Sequence, residues 1–197
     1  MNIVERVKRI LVSPATEWPV IAAETTPTAA LVTGYVVPLA ALSAVATFIG
    51  QSLVGVSLMG TTYRTPIATG IAMAIWGMVM AVAGVFICAY IINAFAPTFG
   101  ATKSDSQALK VAAYSFTPVW VAGLLQILPP LSPLSIIGAL YALYLLYLGL
   151  GIVMKAPDDK TVGYTAVVAL VTVVALFVII AIGGMLLGAA ALSTNRY

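Results

Sequence analysis

The chain has 197 residues, 62% of them hydrophobic and only 8% charged, with a mean hydropathy of +1.10; an average soluble domain is about a quarter charged, so lipid must be the solvent for much of this one. The net charge of +3 comes from basic residues scattered between apolar segments, which excludes the basic groove of a nucleic-acid binder. With no His and Cys88 as the single Cys, the chain lacks an intrachain disulfide, the usual zinc and haem ligand sets and any His-activated nucleophile, so neither a cofactor nor a metal site is expected.

The opening MNIVERVKRILVSPATEW stops its apolar run at Val12 and meets Ser13 and Pro14. An export signal would instead continue its apolar run to a small-residue cleavage site. The pattern predicts two short amphipathic helices, over 2–12 and 14–24. The first carries a stripe of Ile3, Val7, Ile10 and Leu11, and Trp18 in the second suits the headgroup layer. Residues 1–26 are therefore expected to form a cytoplasmic-side interfacial segment, with Arg6, Lys8, Arg9 and Trp18 as membrane-surface contacts.

Five apolar stretches follow, at 27–50, 66–95, 108–128, 133–154 and 162–192. Each has room for the roughly 20 residues that carry a helix across hydrocarbon. The fold expected is an all-α bundle of five transmembrane helices over 27–192, with 193–197 as a short outer tail. With the N-terminus inside, the inner segments hold Arg6, Lys8, Arg9, Lys103, Lys110, Lys155 and Lys160, and the outer ones Arg64 and Arg196. That bias predicts a cytoplasmic N-terminus and an external C-terminus. Four hydroxyl-proline pairs, Ser13-Pro14, Thr26-Pro27, Thr65-Pro66 and Ser132-Pro133, are expected to start helices, the hydroxyl capping and the proline opening the first turn.

Pro38 and Pro118 fall inside the first and third spans, where each should release a carbonyl four residues back, at Gly34 and Tyr114. Both lie some ten residues from the inner ends, so the two breaks are level if the helices are neighbours. Gly34, Pro38, Tyr114, Pro118 and Tyr144, the last from YALYLLY, form a candidate intramembrane pocket. On the second span Gly70, Ala74, Gly77, Ala81, Gly84 and Cys88 make one seam of small residues suited to close helix packing. Gly184 and Gly188 form a weaker pair of the same kind. On the inner face Glu24, Asp105, Asp158 and Asp159 are candidate binding residues. The charges belong to the flanks of the spans, Lys110 being counted with the inner flank, which disfavours an ion-coupled pump or an intramembrane protease.

The segments SPATEWPVIAAE, YVVPLAALSAVATFIG, ALKVAAYSFTPVWVAGLL and LYALYLLYLGLGIVMKAPDDKTVGYTA resemble the Yip1 domain family, in particular its small bacterial members. The resemblance implies a five-helix membrane domain with a cytoplasmic N-terminus, in the cell inner membrane of a bacterium. Eukaryotic members act in vesicle traffic with small prenylated GTPases; the long polar N-terminal region they use has no counterpart here, so GTPase binding is not carried over, and no catalytic residue is implied. The reading that follows is a non-enzymatic protein organising membrane lipids, partner membrane proteins or copies of itself. The alternative is a transporter or channel for a small or amphiphilic solute.

Overall fold

The computed structural model describes the backbone of residues 2–58 and 61–194, and side chains as far as residue 181 with residues 58 and 180 excepted. Two short helices, α1 (Ile3–Val12) and α2 (Pro14–Ala23), precede five spans: Thr28–Val54, Ile67–Phe95, Asp105–Ile127, Pro129–Ile152 and Asp158–Ile179. The first span consists of α3 (Thr28–Leu31), a π-helical turn over Val32–Val36, α4 (Val37–Phe48) and a second π segment over Ile49–Val54. A hairpin of β1 (Val56–Leu58) and β2 (Thr61–Tyr63) leads to α5 (Ile67–Phe95). The third span is divided into α6 (Asp105–Ser115) and α7 (Thr117–Gly123), followed by 3-10 turns. Next come α8 (Ser135–Ile152) and α9 (Asp158–Thr194).

The third span is the axis of the bundle. Of its most apolar window 67% is buried, against 17% for the second and fifth spans, whose apolar side chains face outward, as helices in lipid must. Close approach at the end far from the N-terminus depends on glycine. A Cβ on Gly50 would lie 1.8 Å from the Gln126 carbonyl oxygen, and one on Gly70 2.1 Å from Ser52 Oγ. At the opposite end the loops join, Thr102 N–H donating to the Met154 carbonyl at 2.7 Å.

Several sequence expectations change in detail. Pro27 and Pro66 occupy cap positions rather than first turns, and Ser13 makes no side-chain cap to α2. The side-chain caps belong to Asn2 and Ser104, which accept from Val4 N–H at 3.0 Å and Gln107 N–H at 3.4 Å. Ser132 and Pro133 lie in a 3-10 turn, and α8 begins after it. The third span begins at Asp105, so Lys110 lies within it. The helix of the fifth span continues through Thr194, while Arg196 and the packing of Gly184 and Gly188 lie outside the described residues.

Helix α1 packs against α7 and α2 against α8, while α6 reaches the end of α2 through Gln107 and Lys110. Tyr141 Oη donates to the Leu11 carbonyl at 2.7 Å, about 16 Å along α8 from its last residue at 1.5 Å per residue. Trp18 is fully buried; a Cβ on Gly149 would come within 3.0 Å of its ring and of Val111. Arg6 is buried with it. Neither residue faces a membrane surface, because the stripe of α1 and α2 that carries them meets protein. Lys8 and Arg9 remain exposed.

Candidate functional site

The two prolines do interrupt their helices. Pro38 has no N–H to donate, and the first span adapts one turn earlier, where Val37 N–H reaches the Val32 carbonyl in the i→i−5 pattern. At Pro118 the chain breaks at Phe116, whose carbonyl accepts from both Val119 and Trp120 N–H. The breaks meet: Tyr35 Oη and Thr117 Oγ1 are 2.8 Å apart and both residues are buried. Around this junction a cleft of about 380 Å³ brings together Gly34 and Tyr114 with Tyr35 and Glu24. The other three candidates stand elsewhere. Pro38 is exposed, Pro118 packs its carbonyl against Gly138, and Tyr144 is half-exposed beside Tyr141 at 5.6 Å between ring centroids.

Beside the cleft lies a buried ion cluster. Arg6, on α1, donates through Nη1 to Glu17 of α2 and through Nη2 to Glu24 just beyond α2. Its guanidinium carbon sits 5.7 Å from the centroid of the Tyr114 ring, within cation–π range. Tyr114 also meets Trp18 edge-on at 6.3 Å and Tyr35 at 4.7 Å. From α6, Lys110 Nζ donates to the Ile21 carbonyl at 3.1 Å and to the Glu24 carbonyl, while Gln107 Nε2 donates to the Ala22 carbonyl at 3.0 Å. Those carbonyls end α2 and would otherwise be orphaned, and a cation there also opposes the negative end of the helix dipole. Two cations and two carboxylates balance, as burial of charge requires.

A family model described as Yip1 domain matches residues 8–192. The chain belongs to the Yip1 domain family. No curated protein and no solved structure matches it. The matched range takes in all five spans, α2, Glu17, Glu24, Lys110 and Tyr114, so most of the cluster lies within the Yip1 domain itself.

The four acidic candidates of this Yip1 domain stand in three settings. Glu24 belongs to the ion cluster. Asp105 accepts from Asn93 Nδ2, while Asn93 Oδ1 accepts from Ser104 N–H at 2.8 Å, so this pair joins the end of α5 to the start of α6. Asp158 and Asp159 are exposed in the first turn of α9, where acidic residues suit the helix dipole. Among the described residues no three His, Cys, Asp or Glu side chains group as metal ligands. The small-residue seam is divided among neighbours: Gly70 fits against Ser52 and Phe48, Gly84 faces Leu176, and no heavy atom lies within 4 Å of a Cβ on Gly77.

Sequence reasoning missed Glu17, Tyr35, Lys110 and Thr117 as parts of one site. Tyr35 and Thr117 carried a usable signal, each standing next to a proline break. Lys110 was visible as a cation followed directly by the apolar run of the third span.

Proposed function

We propose that this Yip1-domain protein organises membrane lipids or partner membrane proteins through the outer surface of its N-terminal helices. The observation that carries the reading is the Arg6 cluster: it fastens α1 and α2 to the central span and leaves Val4, Lys8, Arg9 and Val12 turned outward, Val4 and Val12 being 71% and 72% exposed. On this surface Arg9 is paired with exposed Glu5, which leaves Lys8 as the surplus cation among exposed apolar residues, a combination suited to an anionic lipid surface or the juxtamembrane face of another membrane protein. The orientation that goes with this reading has the N-terminus in the cytoplasm and the C-terminus outside, in a bacterial inner membrane.

The test is native mass spectrometry of the protein released from membrane patches, recording every co-purifying lipid and protein for the wild type, a Lys8→Gln/Arg9→Gln variant and an Asp158→Asn/Asp159→Asn variant. Loss of a stoichiometric lipid or protein from the first variant supports the reading. Equal recovery from all three proteins defeats it.

A second reading, passage of a small amphiphile, is favoured by the meeting of the two helix breaks at Tyr35 and Thr117 beside an open cleft. It requires solute flux in reconstituted vesicles that changes in Pro38→Ala or Pro118→Ala, and absence of flux excludes it.

A further inference from the structure

We propose that the cleft beside Glu24 holds the primary ammonium of a zwitterionic phospholipid headgroup, an inference that rests on the lipid-organising reading above. The cleft has a volume of about 380 Å³, within the range of about 300–1,000 Å³ usual for ligand sites. Its polar wall is Glu24, Thr25 and Thr26, and its apolar side is the start of the first span. Four ionised groups lie in or near it. Arg6, Lys110 and Glu17 have 3%, 3% and 4% of their surface exposed, whereas the Glu24 side chain is 31% exposed. A headgroup entering the cleft therefore meets first a carboxylate that is part-exposed and shares one oxygen with Arg6. Arg6 and Lys110 balance Glu17 and Glu24, so the site as a whole favours a neutral zwitterion with its cation inward over an anionic headgroup.

The surroundings also select the kind of ammonium. A quaternary ammonium is recognised by open aromatic faces. Here the Tyr114 ring already meets Arg6, Trp18 and Tyr35. The polar residues of the wall are instead Glu24, Thr25 and Thr26, a carboxylate and two hydroxyls able to accept from N–H donors. Gly34 completes the site. No heavy atom lies within 4 Å of where its Cβ would be, which leaves room for the glycerol and the first part of an acyl chain along exposed Ala30 and Gly34.

The experiment uses the full chain in vesicles holding equal amounts of phosphatidylethanolamine, phosphatidylcholine and phosphatidylglycerol, with retained lipids identified by native mass spectrometry. The ethanolamine lipid should be retained roughly tenfold over the choline lipid, as one charge-assisted hydrogen bond provides. Gly34→Leu, which fills the cleft and touches no charge, should abolish the preference. Thr26→Val, which keeps its shape, should weaken it and serves if Gly34→Leu fails to fold. Equal retention of the ethanolamine and choline lipids by the wild type, or an unchanged preference in a folded Gly34→Leu or Thr26→Val protein, overturns the headgroup assignment. Retention of phosphatidylglycerol that depends on Lys8 and Arg9, with no ethanolamine preference, overturns this assignment alone. Retention of no lipid at all overturns it together with the lipid-organising reading.

Discussion

The ammonium of Lys110 donates to the carbonyl of Ile21 at 3.1 Å, so a cation carried by the central span forms the C-terminal cap of a helix from the beginning of the chain. Lys110→Met should release that helix. Hydrogen bonds to charged groups contribute about 1.5–3 kcal/mol. Amide hydrogen exchange should therefore rise over residues 14–24 by one to two orders of magnitude, while exchange in α5 and α9 stays as in the wild type. Unchanged exchange over 14–24 would show that Trp18 and Ile21 hold the helix without the cap.

Arg6→Leu leaves the buried Glu17 carboxylate without its cation, a loss on the order of 3–5 kcal/mol. Thermal unfolding in detergent should fall well below the wild type. Adding Glu17→Gln and Glu24→Gln to the same chain should restore most of the loss, since it removes the uncompensated charges. A triple variant no more stable than Arg6→Leu would assign the effect to lost packing over Tyr114 instead.

Tyr35→Phe and Thr117→Val each remove one hydroxyl from the contact between the two helix breaks, and each should cost about 0.5–1.5 kcal/mol. The double variant should cost clearly less than the sum of the single ones, because the pair is lost only once. Strict additivity in a double-mutant cycle would mean that the hydroxyls act separately.

Glycine substitutions should divide sharply. A Cβ on Gly138 would meet the Pro118 carbonyl oxygen at 2.6 Å and the Ala122 side chain at 2.5 Å, so Gly138→Ala must force α7 and α8 apart and should lower the yield of folded protein. Gly77→Ala adds its methyl to open space and should stabilise α5 by about 0.5–1 kcal/mol through reduced chain entropy. Comparing melting temperatures and yields of the two variants checks both directions.

The sequence alone determined that this is a five-span helical membrane domain, because long apolar runs need lipid and only a helix satisfies its own backbone there. It also located both proline breaks, since a missing N–H and a fixed φ are properties of the residue itself. Residues matched to the Yip1 domain agree with the resemblance carried by the motifs around Trp18, Pro38, Tyr114 and the Tyr144–Lys160 segment.

What the sequence could not express is which groups meet across the bundle. Arg6 resembles Lys8 and Arg9 in type and neighbourhood, and only the docking of α1 separates a buried ion-pair partner from two surface cations. Trp18 would suit a headgroup layer as well as a protein interior; the gap left by Gly149 and the ring of Tyr114 decided for the interior. The expected pocket divided for the same reason, Gly34 and Tyr114 sharing a cleft while Tyr144 turned away. Periodicity fixes the face of a helix on which a residue stands, but its partner depends on how the helices are arranged around the central span, and that is set by packing among residues distant in sequence.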